Sequence, residues 1–241
     1  MSNTVMAGEP SVDRALIVVA KEPSGGRTKT RLSPPLSAQE AADLYRHFLL
    51  DTLDLMHTVE GVQPIIAYFP AGAEGFFRRI APPGFAFVPQ EGADLGERLD
   101  NVLRYCLRNG YRQAVVMDSD SPTLPVSYVQ QAFQELDDPS VDVVLGPCDD
   151  GGYYLIGVKS PCSALFQGIV MSTSTVTEET LRRAREQGLR TAFLPVWYDV
   201  DTPEDLRRLM EDLRVQPEHL AMHTRASLAD AMGRQTLSVT S

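Results

Sequence analysis

The segment KEPSGGRTKTRL, residues 21–32, sets Lys21, Arg27, Lys29 and Arg31 around Gly25 and Gly26. Four cations within eleven residues stand out in a chain whose formal net charge is −10. Glycines allow a backbone to approach a polyphosphate closely and to turn its N–H groups inward. Lysine and arginine then neutralise the phosphate charge. A Walker loop needs glycine directly before its Lys-Thr pair, whereas Thr28 precedes Lys29 here. The dinucleotide pattern G-x-G-x-x-G is also missing from the segment. A solvated turn is the plain alternative, but the position directly after an apolar strand favours phosphate binding.

Acidic residues recur at the ends of later apolar runs. MDSDSPTLP (117–125) carries Asp118 and Asp120, and WYDVDTPEDL (197–206) carries Asp199 and Asp201. Carboxylates in such places suit Mg²⁺, which takes few protein ligands and keeps waters and substrate phosphates. One carboxylate from each strand end, Asp120 and Asp201 foremost, would grip one ion. Asp201 and Thr202 also suit a helix cap. GPCDDGGYYLIG (146–157) offers Asp149, Asp150, Gly151 and Gly152, which fit either a tight hairpin turn or the binding of an acceptor. QEGADLGERLDNVL (90–103) supplies Gly92, Leu95, Gly96 and Arg98 where a loop enters a helix, and an ordinary helix start accounts for it equally well. His47, His57, His219 and His223 show no metal spacing. Cys106, Cys148 and Cys162 form neither a zinc pattern nor a disulfide framework.

These residues need a scaffold, and the apolar pattern provides one. ALIVVA (15–20) reads as a buried parallel strand. Ser37 and Glu40 form a capping box at the head of a helix over 37–59. Strands are then expected at 64–69, 85–88, 113–118, 141–146, 153–158 and 190–196. Helices are expected at 73–80, 95–109, 126–137, 175–187 and 202–213. The alternation implies an α/β fold with a mostly parallel central sheet and helices on both faces. Only a short loop separates 141–146 from 153–158, so YYLIGV is expected to run antiparallel. In such a sheet ligands sit beyond the carboxyl ends of the strands. The loops after residues 20, 118, 146 and 196 should therefore converge.

With 43% hydrophobic residues in 241, the chain can bury a real core. Its acidic balance argues against nucleic acid and against an anionic membrane surface as partners. The first residues lack the charged start and apolar core of a signal peptide. No apolar run approaches the roughly 20 residues that span a bilayer, so a cytoplasmic protein is expected. Residues 1–13 read as a flexible leader, 14–213 as the main domain and 214–241 as a C-terminal helix and tail. An apolar stretch in that tail would suit a homodimer.

Five segments together resemble one family. KEPSGGRTKTRL is similar to K-x-P-x-P-G-x-x-K-T-R-L, and QEGADLGERL to Q-x-G-x-D-L-G-x-R. DSDSPTLP is similar to G-x-D-x-P-x-L, GPCDDGGYYLIG to G-P-x-x-D-G-G-Y-Y-L-I-G, and YDVDTPEDL to D-V-D-T-x-x-D-L. They occur in order over about residues 14–212. The pattern resembles the DUF2064 group of glycosyltransferase-like proteins, within the GT-A nucleotide-diphospho-sugar transferase superfamily. Relatives there include the 2-phospholactate or phosphoenolpyruvate guanylyltransferases and the molybdenum-cofactor guanylyltransferase. The resemblance implies a Rossmann-like GT-A fold. It places a triphosphate on the first loop, the base near residues 90–98, and a metal on Asp120 and on Asp201 with Asp199. Gly25 replaces a frequent proline, which should loosen the phosphate loop. Asp118 replaces a frequent glycine and adds a ligand or mimics a glycosyltransferase D-x-D.

The expected activity is nucleotidyl transfer dependent on Mg²⁺ or Mn²⁺, from a nucleoside triphosphate to a small phosphorylated or phosphonate acceptor, with pyrophosphate leaving. Lys29, Arg31 and Asp120 are the expected catalytic residues. Lys21, Gly25, Gly26, Arg27, Gly92, Leu95, Gly96 and Arg98 are expected to bind the nucleotide, and Asp149 to Gly152 the acceptor. Asp118, Asp120, Asp199 and Asp201 are the expected metal residues. A glycosyltransferase using a nucleotide-sugar, and a non-catalytic nucleotide-binding protein, are the alternatives.

Overall fold

The computed structural model describes residues 12–238. Most of the expected leader, residues 1–11, lies outside the described residues. Fourteen elements follow one another: β1 (Arg14–Lys21), α1 (Ala38–His57), β2 (Gln63–Phe69), α2 (Glu74–Ile80), β3 (Ala86–Pro89), α3 (Leu95–Arg108), β4 (Gln113–Met117), α4 (Val126–Asp137), β5 (Val143–Pro147), β6 (Tyr153–Val158), α5 (Val176–Glu186), β7 (Thr191–Phe193), α6 (Pro203–Val215) and α7 (Met222–Ser238).

The strands form one seven-stranded sheet in the order β3-β2-β1-β4-β6-β5-β7. β1 lies parallel between β2 and β4. Strand order reverses at this point, which opens a crevice beyond the carboxyl ends of β1 and β4. β6 runs antiparallel to both β4 and β5, as its short connection requires. Glycine at 157 suits this tight insertion. A Cβ there would lie 2.8 Å from side-chain carbons of Val115 and Val144 on the flanking strands.

Helices cover both faces. Leu49, Leu53 and Met56 of α1 pack with Phe77 of α2 and Phe133 of α4 on one side. Leu99, Val102 and Cys106 of α3 and Ala184 of α5 pack on the other. Coverage of both faces explains why Ala15–Val18 of β1 are all fully buried. A third cluster joins Leu44 and Phe48 of α1 to Leu206 and Leu209 of α6. The capping boxes at Ser37 with Glu40 and at Thr202 with Asp205 are both formed, with Pro203 in the first turn of α6.

The last strand is shorter than expected. The strand expected over 190–196 ends at Phe193. Pro195 cannot donate to a ladder, and pairing resumes as a lone parallel bridge between Cys148 and Trp197. A C-terminal helix is expected beyond residue 214, and α7 docks on α1. Asp51 of α1 accepts from the backbone N–H groups of His223 at 2.9 Å and Thr224 at 2.8 Å, and from the Thr224 hydroxyl at 2.6 Å. Among the described residues no helix is long and apolar enough to cross a membrane.

Candidate active site

The loop leaving β1 is tied down at both ends. Thr28 is buried and donates through its hydroxyl to the Ser24 carbonyl at 3.1 Å, while its backbone N–H reaches the same carbonyl at 3.2 Å. Leu32 is fully buried in the cluster beneath α6. Between these anchors Lys29 takes a left-handed backbone, φ 49°, and its side chain turns inward. The ammonium stands 2.7 Å from Asp120 and 2.7 Å from Asp201, and the side chain is only 5% exposed. Burial alone would lower its pKa, but Asp120 and then Asp201 outweigh that and hold it above the ordinary lysine value. Burial raises the Asp201 pKa and Lys29 lowers it, and the lysine prevails. Arg31 is 70% exposed, with a guanidinium nitrogen 4.0 Å from Asp201.

The other two carboxylates are differently placed. Asp199 accepts from the Ser121 hydroxyl at 2.9 Å and from the Cys148 thiol at 3.2 Å. Asp118 accepts from the backbone N–H of Asp120 at 3.1 Å, and its Oδ2 is buried with no hydrogen-bond partner. No lysine or arginine forms an ion pair with either of them among the described residues. Burial, then the Asp199 charge, raises the Asp118 pKa well above the carboxylate range. Burial, then the Asp120 charge, raises Asp199 to about 6. Ligand atoms of Asp118, Asp199 and Cys148 lie within 4.8 Å of one another. The Cys148 thiol is pushed up by burial and by the Asp199 charge. In the absence of an ion the thiol donates to Asp199. Two crowded carboxylates with one orphaned oxygen suit a hard divalent cation.

A cleft of about 610 Å³ runs along the loop. Lys21, Arg27, Lys29, Arg31, Leu95 and Arg98 line it together with Asp118, Asp120 and Asp201. Arg98 stacks its guanidinium over the Phe69 ring at 4.2 Å and donates to the Gly92 carbonyl at 3.2 Å. A smaller compartment of about 180 Å³ meets this cleft at Arg31, Asp118, Asp120 and Asp201. Asp150, Gly152 and Asp199 line the smaller compartment.

Five of the glycines expected to bind nucleotide or acceptor have a backbone reason to be glycine. Gly25 packs on the start of α1, where a Cβ would lie 3.3 Å from Gln39, and Gly26 makes a turn with φ +74°. A Cβ on Gly92 would lie 2.8 Å from Glu97, and one on Gly96 3.2 Å from the Phe166 carbonyl. Gly151, at φ +92°, sits where a Cβ would fall 1.9 Å from the Ser174 carbonyl, so only glycine lets the β5–β6 turn close on that loop. None of these five lines either cavity. Asp149, expected on the acceptor side, pairs with Arg208 of α6 and lines neither cavity. The position foreseen for a metal between Asp120 and Asp201 is the one the Lys29 ammonium takes.

Some contributing residues carry no motif signal. Tyr45 of α1 lines the large cleft. Its phenol oxygen accepts from the Lys21 N–H at 3.1 Å and lies 2.9 Å from the Ser119 hydroxyl, which donates to the Val19 carbonyl at 3.3 Å. A carbonyl can only accept, so the chain of donors runs from Lys21 through Tyr45 and Ser119 to Val19. It joins the end of β1 to the residue between Asp118 and Asp120. Burial and the Asp120 charge push the Tyr45 pKa up to about 12. Gln90 donates to the carbonyls of Ala67 at 2.7 Å and Ala20 at 3.3 Å. Tyr45 lies within an ordinary amphipathic helix, so sequence spacing could not single it out.

Comparison with known proteins places this geometry. The DUF2064 family model, described as uncharacterized proteins conserved in bacteria, matches residues 52–173. That span holds Asp118, Asp120 and Asp150 but neither the cationic loop nor Asp199 and Asp201. A 2-phospho-L-lactate guanylyltransferase of Methanothermobacter thermautotrophicus is 28% identical over 187 residues, covering 76% of this chain and 78% of that protein. A solved structure from Desulfovibrio desulfuricans, a candidate nucleotide-diphospho-sugar transferase, superposes with a TM-score of 0.84 at 34% identity, covering 93% of this chain and 98% of the other. The 4-diphosphocytidyl-2C-methyl-D-erythritol synthase of Anaerococcus prevotii shares the fold at a TM-score of 0.57 and 10% identity, covering 84% and 97% of the two chains. The chain is thus a member of the DUF2064 family, built on the nucleotidyltransferase-like GT-A fold.

Proposed function

We propose that this chain, a transferase by its family and fold, moves a nucleoside monophosphate from a nucleoside triphosphate to a small phosphorylated acceptor, releasing pyrophosphate. One observation carries the reading. Lys29 binds carboxylates from two other loops, after β4 and before α6, within a cleft that also presents Lys21, Arg27, Arg31 and Arg98. An acidic protein has gathered its cations where the strand order reverses, and a triphosphate is the ligand with enough negative charge to use them.

In the proposed step an anionic oxygen of the acceptor attacks the α-phosphorus. A new P–O bond forms there, the bond to the bridging β-phosphate oxygen breaks, and pyrophosphate carries off the electron pair. The acceptor oxygen is already anionic, so no general base is required. The chain's task is positioning and charge neutralisation. Lys21, Arg27 and Arg98 face the triphosphate, and Lys29 adds positive charge where negative charge develops. Arg31, at the junction of the two cavities, faces the entering group. Asp150 and Gly152 border the acceptor side. Asp118 and Asp199, with Asp120 and Asp201 beside them, would hold Mg²⁺ or Mn²⁺. A bound ion would neutralise phosphate charge and orient the reacting groups. Residues 14–213 form the catalytic unit in this reading, with the C-terminal helix docked on α1.

The test is pyrophosphate release from each nucleoside triphosphate with Mg²⁺ and a panel of phosphorylated acceptors. Release that requires an acceptor is expected. Nucleoside diphosphate released from a nucleotide-sugar, with no pyrophosphate from any triphosphate, would replace nucleotidyl transfer by glycosyl transfer. Tight nucleotide binding without either product would leave a binding protein.

A further inference from the structure

The smaller compartment has a charge pattern that restricts what can enter it. Five aspartates line it, Asp118, Asp120, Asp150, Asp199 and Asp201, against a single basic residue, Arg31. Lys29 lies beyond Asp120 and Asp201, on the side of the large cleft. A divalent ion at Asp118 and Asp199 would offset two of the charges, and Lys29 and Arg31 two more. Asp150 remains. Its Oδ1 accepts only the Gly152 N–H at 2.8 Å, and no lysine, arginine or histidine pairs with it among the described residues. Its neighbour Asp149 has Arg208. The remaining wall is largely apolar, with Leu99, Met171 and Val176 facing the space. The buried Oδ2 of Asp118, which has no protein partner, belongs to a residue that lines the same compartment.

We propose that the acceptor carries one phosphate or phosphonate, a short apolar chain and, at its far end, a primary ammonium that pairs with Asp150. The inference rests on the nucleotidyltransferase reading for the identity of the compartment, and adds the class of molecule it takes. Arg31 receives the anionic head at the junction of the two cavities. The chain of the acceptor lies against Leu99, Met171 and Val176. A second anionic group at the far end would meet Asp150 with no cation to offset it, and a repulsion of this kind is an effective way to reject a wrong ligand. The acceptor therefore differs from a phosphorylated carboxylic acid, the kind of substrate in the name of the archaeal guanylyltransferase relative.

Three probes of similar length test it by calorimetry with Mg²⁺ and without nucleotide: 2-aminoethylphosphonate, propylphosphonate and 2-carboxyethylphosphonate. The amine is expected to bind at least about tenfold tighter than the carboxylate, one well-placed charge pair's worth of discrimination. Asp150→Asn keeps an oxygen for the Gly152 N–H and should shrink that ratio to about threefold or less, while the thermal shift given by nucleoside triphosphate stays as in the parent. A carboxylate that binds as tightly as the amine, a ratio untouched by Asp150→Asn, or no binding by any of the three would each overturn the proposal. Failure of the transferase reading has a different signature: no triphosphate gives a thermal shift or pyrophosphate, whatever the three phosphonates do.

Discussion

Asp120 and Asp201 share two loops, the one after β4 and the one before α6, with Asp118 and Asp199; each pair member is only two residues from its counterpart, yet the two pairs live in opposite electrostatic worlds. Lys29 bridges Asp120 and Asp201 at 2.7 Å from each, and Asp201 stays ionised below its ordinary pKa. Asp118 and Asp199 have no ion-pair partner among the described residues, and burial lifts both pKa values, helped by the Asp199 charge at Asp118 and by the Asp120 charge at Asp199. The inward turn of Lys29 produces the split, because its ammonium reaches Asp120 and Asp201 and pairs with neither Asp118 nor Asp199. One pair is satisfied by the chain itself and holds the cationic loop in place. The other is left with charge to spare and is the pair that gains most from a divalent ion. Titratable groups whose surroundings push their pKa values apart commonly divide the chemical roles between them.

The largest expected effect tests that division directly. Asp118→Asn and Asp199→Asn should each lower the rate of pyrophosphate release by about 100-fold or more, the scale of losing one preorganised electrostatic contact. Each should also abolish the Mg²⁺-dependent part of the nucleotide thermal shift. Both substitutions relieve buried repulsion, so the melting temperature of the metal-free protein should hold or rise. A metal-dependent shift surviving in both variants would break the comparison and return the ion to Asp120 and Asp201.

Lys29→Met is the reciprocal change. It leaves Asp120 and Asp201 facing each other without a cation and should destabilise the protein by about 2 kcal/mol, discounted from the 3–5 of a fully buried pair because both carboxylates keep some solvent. In a chain of this size that corresponds to a fall of about 4–8 °C in melting temperature. Melting without ligand separates the two pairs: loss of stability on removing Lys29, none on neutralising Asp118. Equal behaviour of the two would remove the distinction.

The fold was readable because its signals are local. The buried run of β1, the capping box at Ser37, the helix cap at Thr202, and the loop too short for a helix before β6 each declare an element without reference to the rest. The convergence of Lys29 with Asp120 and Asp201 followed from the rule that ligands meet strand ends. The division between the carboxylate pairs was not readable, because all four appear as Asp-x-Asp at a strand end. Only the inward turn of Lys29 decides which pair is bridged. Asp149 and Asp150 were equally indistinguishable until Arg208 of α6, 59 residues from Asp149, proved to claim one of them. Gly92, Gly96 and Gly151 looked like ligand-facing glycines, but the close neighbours of their backbones lie in loops distant in sequence or in the following helix turn.

Tyr45→Phe sharpens the comparison with a smaller effect. It removes the hydroxyl that links Lys21 to Ser119 while keeping the buried ring. The cost in stability should be about 1 kcal/mol for one buried hydrogen-bonding group. Because Ser119 lies between Asp118 and Asp120, the spacing of both pairs relative to the cationic loop would loosen, and kcat should fall about tenfold with little change in the KM for nucleotide. Ser119→Ala should cost about the same, and the double variant no more than either alone, since one network is being cut. Additive losses would show that the two hydroxyls act separately.

The smallest effect belongs to the ion pair that removes Asp149 from the compartment. Asp149 and Arg208 are each 47% exposed, so Arg208→Ala should change stability by less than about 1 kcal/mol. The Arg208 guanidinium also stacks over the Tyr198 ring at 3.8 Å, which accounts for most of the loss that does occur. Its informative consequence lies with the acceptor. Asp149 freed from Arg208 adds a second uncompensated carboxylate beside Asp150, so the preference for the amine-bearing phosphonate over the carboxylate-bearing one should widen by about twofold to threefold. A preference that narrows instead would mean that Arg208 itself helps to hold the acceptor, and that the Asp149–Arg208 pair belongs to the binding surface rather than to the wall behind it.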